Sequence, residues 1–319
     1  MSCNKHPPVI LSRDLPRWRN DLHQAAAAPQ LGNDFQTRPS ALQSGFNSAP
    51  PRRLSMPRFR WILMLSVSMM ALTTPAHAEI VTRELPYTAN GQNMVGYFAY
   101  DDRLATPRPG VLVFHEWWGL NDFAKHQADA LAAKGYVVLA ADMYGEGVAT
   151  HDPDKAGSLA GAIKRKDLFR SRAEAALEAL MKQDGVDPNR IAAVGYCFGG
   201  TTVLEMAYSG VPVRGVVSVH GGLTAPRPDD THIRSAVLVL HGASDPFVKP
   251  EEIRAFQSGM EQAGAAWEMI IYGGAQHGFS NPGADAHGMD GLRYDAATAE
   301  RAWQATTDFL ARILGAPRG

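Results

Sequence analysis

A chain of 319 residues with 45% hydrophobic residues and a formal net charge of −1 is long enough for one large α/β domain or two smaller ones. The balanced charge and the lack of a long Lys/Arg run argue against a nucleic-acid partner. With no basic excess, an anionic substrate would need a local basic site.

Residues 1–55 are rich in Pro, Ser, Asn, Gln and Ala without an apolar period, and are expected to be a disordered or untranslated leader. Arg52, Arg53, Arg58 and Arg60 then precede an apolar run of 12 residues, Trp61 to Leu72, and Ala76-His77-Ala78 has the small-x-small form of a cleavage site. Twelve residues are too few to span a bilayer comfortably. Residues 56–78 therefore read as a secretory signal peptide starting at Met56 and cut after Ala78, rather than as a buried helix. This predicts an exported, periplasmic protein with no membrane span in the mature chain. Cleavage would remove Cys3 and leave Cys197 as the single thiol of Glu79–Gly319, without a partner for an internal disulfide.

From 79 to 319 one domain is expected. "VTRELPY" and "MVGYFAY" alternate in the manner of strands, and Asn90-Gly91 between them is a hairpin turn pair. "GVLVFHE" is a continuous apolar run, as in a strand buried on both faces. "DFAKHQADALAAKG" has Phe123, His126/Gln127, Ala130 and Leu131 at helical spacing and closes on Gly135. "YVVLAADMYG" reads as the next buried strand, followed by a long polar helical stretch from about Asp154 to Gln183. Strand "RIAAVGY", helix "GGTTVLEMAYS", strand "VRGVVSVHG" and strand "AVLVLHGASD" come next. "KPEEIRAFQSGMEQAG" is a helix with Pro250 and two acids in its first turn, "AWEMIIYGG" the last strand, and "DAATAERAWQATTDFLARIL" an amphipathic terminal helix. The alternation predicts a mainly parallel, doubly wound sheet with helices on both faces and an antiparallel N-terminal hairpin.

In such sheets sites form at the carboxyl ends of the strands. There the chain carries His115-Glu116-Trp117, Asp142, Cys197, His220, His241, Asp245 and His277. Cys197 lies in Gly195-Tyr196-Cys197-Phe198-Gly199-Gly200, between a strand and a helix. A sharp turn there strains the central residue and demands small neighbours on both sides, which the glycines supply. It also brings the sulfur to a helix N-terminus, which favours a thiolate. Asp245 follows 48 residues later and His277 a further 32, each in a loop after a strand, in the order nucleophile, acid, histidine. An imidazole can take the thiol proton and a carboxylate can hold its tautomer. Glu116, at the end of a buried strand, needs a partner or a task. There is no H-E-x-x-H and no cysteine pair, so neither metal nor cofactor is expected.

The motifs "FHEWWGL", "DMYG", "GYCFGG", "HGASDPFV" and "AQHGF" resemble, in order, those of the dienelactone hydrolase family, carboxymethylenebutenolidases on the α/β-hydrolase fold. The resemblance implies a Cys197–His277–Asp245 triad, with Glu116 as a carboxylate that helps to generate the thiolate when substrate binds. It implies an oxyanion hole from the backbone N–H groups of Trp117 and Phe198. Members that act on dienelactone hold its carboxylate with arginines. The matching positions here carry Glu146 and Asn281, so bidentate carboxylate recognition is not evident. Lys164, Arg165 and Lys166 read as a solvated helix face. Trp117, Trp118, Tyr144 and Phe279, with Asn281, are expected around an apolar substrate pocket, and plain core packing is the competing role for the aromatics. The expected activity is hydrolysis of a small-molecule ester or lactone through a thioacyl enzyme. The rivals are a non-catalytic binding or redox-responsive thiol protein, and acyl transfer or peptide cleavage on the same fold.

Overall fold

The computed structural model describes residues 80–230 and 232–315. The leader, the signal peptide and its cleavage site near Ala78 lie outside the described residues. Strands β1 (Ile80–Ala89) and β2 (Gln92–Asp101) pair antiparallel, with Ala89 opposite Gln92. Asn90 and Gly91 turn the chain with φ of 50° and 73°, the left-handed pair that a two-residue hairpin demands.

The remaining strands are β3 (Arg108–Phe114), β4 (Val137–Ala141), β5 (Val186–Tyr196), β6 (Gly215–Val219), β7 (Ala236–Gly242) and β8 (Trp267–Tyr272). They form one sheet in the order β1-β2-β4-β3-β5-β6-β7-β8. β2 meets β4 antiparallel, and every pairing from β4 to β8 is parallel. β3, β4 and β6 are buried along their whole length, as their unbroken apolar runs require.

Side chains alternate across this sheet into two cores. Leu112, Phe114, Leu139 and Ala141 join the layer under helices α3 (Phe169–Met181), α4 (Phe198–Tyr208) and α5 (Pro250–Gln262). Val111, Val113, Val138 and Ala140 face α1 (Asp122–Ala132) and α6 (Ala296–Leu314) on the other side. The period-2 geometry of a strand assigns each residue to its layer.

Two local expectations change. The polar stretch 154–183 is two helices, α2 (Pro153–Arg165) and α3, separated at Lys166–Leu168, where Asp167 takes φ 51°. α3 buries Phe169, Ala173, Ala176, Leu177 and Leu180 against the sheet, whereas α2 buries only Ala156 and Ile163. One straight helix could not present both faces. In α1 the buried stripe is Ala124, Ala128, Leu131 and Ala132, not the one through Phe123 and His126. Alanines let α1 approach the sheet closely, and Phe123 packs edge-on against Tyr196 at the margin.

Candidate active site

The carboxyl ends of β3, β5, β6 and β7 and the loop after β8 converge on one cavity of about 320 Å³. Its lining includes Glu116, Trp117, Trp118, Cys197, Phe198 and His277. Thr201, Phe247, Val248, Met289 and Leu292 also line it, and the sequence offered no signal for these because they come from three separate segments.

Cys197 stands at the turn from β5 into α4 with φ 53° and ψ −112°, a left-handed conformation that costs a non-glycine residue on the order of 1–3 kcal/mol. The surroundings hold it there. Its N–H donates to the Val219 carbonyl at 3.0 Å and to His220 Nδ1 at 3.2 Å. The flanking glycines are required by close approach. A Cβ on Gly195 would run into the Gly199 carbonyl, and one on Gly199 into the Phe114 carbonyl. The turn presses α4 against β3 and β5, and the thiol stands partly exposed at the mouth of α4.

His277 Nδ1 and Asp245 Oδ2 are 2.7 Å apart. Asp245 is buried, and its other oxygen accepts the Phe247 N–H at 2.9 Å, which fixes the carboxylate for the imidazole. Burial works against a proton on His277. The charge of Cys197 and the hydrogen bonds with Asp245 and Cys197 outweigh it, and the imidazole pKa lies well above its ordinary value. An imidazole so placed can hold the thiol proton.

Glu116, 2% exposed, is the other acid of the cavity. Burial pushes its carboxyl up to about 7, against the opposing effects of a hydrogen bond from Asn281 and the charge of His277. Asn281 Nδ2 donates to Glu116 Oε2 at 2.6 Å, both side chains being buried. Asn281 therefore does not face the cavity. It stands behind Glu116 and opens onto the neighbouring groove.

Two further pocket expectations are corrected. Tyr144 is buried beside His115 and Phe198, and its hydroxyl donates to the Trp117 carbonyl at 2.9 Å. Phe279 is fully buried between His220 and Tyr272. Both are packing residues, because their strand-end segments turn back into the core. Trp117 and Trp118 do line the cavity. Glu146 lies outside it, its N–H donating to the Asn93 carbonyl. Lys164, Arg165 and Lys166 are exposed and also lie outside.

Asp142, another strand-end group, has a structural role. It accepts four backbone N–H groups, from Val95, Tyr144, Gly145 and Gly147, and so ties its loop to β2. Among the described residues no three His, Cys, Asp or Glu side chains converge as metal ligands.

Sheet order, elbow and cavity together define a carboxylic ester hydrolase of the α/β-hydrolase fold. The chain belongs to the dienelactone hydrolase family, whose model matches residues 94–314. It is 39% identical to a dienelactone hydrolase-like promiscuous phosphotriesterase, P91, from metagenomic libraries, over 74% of this chain and 99% of that one, with a TM-score of 0.71. The solved structure named m3DLH is 40% identical over the same shares, also with a TM-score of 0.71. Protein usf of Aquifex pyrophilus is 28% identical over 72% of this chain and 97% of its own length.

Proposed function

We propose that Cys197, His277 and Asp245 hydrolyse a small carboxylic ester or lactone through a thioacyl enzyme. The observation that carries this reading is the 2.7 Å His277–Asp245 pair in the loops beside a strained Cys197 at a helix N-terminus. His277 takes the proton of the Cys197 thiol, and the thiolate attacks the carbonyl carbon. The oxyanion receives the N–H groups of Phe198 and Trp117; Phe198 opens α4, where an N–H has no intrahelical acceptor. The tetrahedral centre collapses, and His277 gives its proton to the departing alkoxide. Water, deprotonated by His277, attacks the thioester, and the acid leaves as the thiol re-forms. Glu116, with a carboxyl that titrates near neutrality, exchanges a proton with this cavity as substrate enters.

A chromogenic short-chain ester tests the reading. The protein should turn it over and carry one acyl group per chain by mass spectrometry on rapid acid quench, and Cys197→Ala should do neither. Full turnover by Cys197→Ala would reject the thioacyl route. An alkylatable thiol with no turnover of any ester or lactone would favour the binding or redox-responsive protein.

A second activity, on phosphotriesters, is supported by the 39% identity to P91. A phosphotriester carries no net charge, and among the described residues the cavity lining holds no lysine or arginine. We also propose export with cleavage after Ala78, for which the expected N-terminus of the mature protein is Glu79.

A further inference from the structure

Among the described residues, the cavity combines apolar walls with no free cation. Trp117, Trp118, Phe198, Phe247, Met289 and Leu292 surround Cys197. The basic group among its described lining residues, His277, is already balanced by Asp245 and Cys197. Its second acid is Glu116. The Asn281 amide, a neutral donor beside it, is spent on Glu116 Oε2 at 2.6 Å. Arg172, buried under the same loops, is committed to the Met143 carbonyl at 2.6 Å and Gln92 Oε1 at 2.7 Å.

From this we propose that the site takes uncharged esters and lactones with apolar flanking groups, and discriminates against the same molecules bearing a carboxylate. The inference rests on the hydrolase reading above. A carboxylate entering the cavity would lose its hydration without gaining an ion pair. It would also approach Glu116. The Glu116–Asn281 bond has a double effect: it holds the acid in place and removes the amide from substrate recognition.

A matched pair of 4-nitrophenyl esters tests it, one of hexanoic acid and one of adipic acid with its far carboxylate free. The expected kcat/KM ratio favours the hexanoate by on the order of 10²-fold. Ala160→Arg brings a cation to the cavity wall from the half-buried face of α2, and should narrow that ratio at least tenfold. Binding of the two esters to Cys197→Ala, read by tryptophan fluorescence, reports the preference without turnover. It therefore separates a failure of this inference from a failure of the hydrolase reading. Equal kcat/KM for the two esters, or equal affinity in Cys197→Ala, would overturn the inference.

A separate observation concerns His115. It is fully buried, and burial lowers its pKa, so the ring is neutral. Nε2 accepts the Met143 N–H at 3.2 Å, which leaves the proton on Nδ1, 2.5 Å from the Glu116 carbonyl. The Gly119 N–H reaches that same carbonyl at 3.1 Å. A trans peptide is planar, so anchoring the Glu116 C=O points the Trp117 N–H the opposite way. The His115 ring also stacks on Phe198 at 5.9 Å and 11°. We infer that His115 is a positioning residue that sets both donors of the oxyanion hole, an assignment that again rests on the hydrolase reading.

His115→Leu should lower kcat by about 10- to 100-fold with KM little changed. The affinity for an aldehyde inhibitor, which forms a tetrahedral adduct with the thiol, should fall in parallel. His115→Gln, which can both donate and accept, should restore most of both. A folded His115→Leu with wild-type kcat, or a loss that leaves aldehyde affinity untouched, would overturn the assignment. So would a His115→Gln as impaired as the leucine variant.

Discussion

His220 and His277 lie with ring centroids 5.2 Å apart, both buried, and their proton affinities move in opposite directions. His220 follows the plain cost of burial, made larger by the charge of His277, and falls well below its ordinary pKa. Its contacts are neutral: the Cys197 N–H on Nδ1 and the Ser280 hydroxyl 2.7 Å from Nε2. His277 feels the same burial but faces Cys197 and Asp245, and rises. A buried histidine is neutral by default, and it takes a fixed acid to make it a proton carrier. One ring therefore supports the nucleophile's backbone, while the other suits its proton chemistry.

The largest expected effect comes from erasing that difference. Asp245→Asn should lower kcat by on the order of 10³- to 10⁴-fold while leaving the fold intact. Imidazole NMR should then show the His277 pKa lower than in wild type, and the His220 pKa, relieved of part of that neighbouring charge, no lower. A kcat within tenfold of wild type would break the comparison.

Glu116 extends it to an acid, and its sign can be followed through pH. Its folded pKa of about 7 exceeds the ordinary 4.5, so the native state holds this proton more tightly than the unfolded chain does. The native state is favoured fully below pH 4.5 relative to alkaline solution, and stability declines as pH rises to about 7. Glu116→Gln, which cannot ionise, should therefore gain up to about 3 kcal/mol over wild type at pH 8 and nothing at pH 4. Urea midpoints at the two pH values measure this, and an equal effect at both would contradict the assignment.

A smaller effect is expected at His220. Replacing it with Phe keeps the ring but removes the second acceptor of the Cys197 N–H, leaving the Val219 carbonyl. A loss of about 1–2 kcal/mol in stability is expected, with a fall in kcat far below that of Asp245→Asn. The smallest belongs to Phe247, 51% exposed and edge-on to His277 at 5.1 Å. Phe247→Ala should raise KM several-fold for aromatic esters and change kcat less.

Much of this arrangement was legible in the chain. The apolar runs located the strands because a parallel sheet buries both faces, and the Asn90-Gly91 turn was explicit. Gly195 and Gly199 announced the tight turn at Cys197, since only a residue without a Cβ clears the carbonyls of Gly199 and Phe114. The break at Asp167 was hidden, because helical spacing continues through it and the reason for breaking lies in the sheet that α3 must cover. Tyr144 and Phe279 read as pocket walls, since an aromatic at a strand end looks alike whether it turns toward solvent or core.

The sequence alone determined which chemistry stands at which strand end, because strand periodicity and turn glycines are local rules carried by neighbouring residues. Only the tertiary structure decided the partners: Asn281 on Glu116 across 165 residues, His220 beneath Cys197, and His115 on the peptide before Trp117. Hydrogen bonds and desolvation depend on distances through space, and loops from separate strands acquire those distances only when the sheet is assembled.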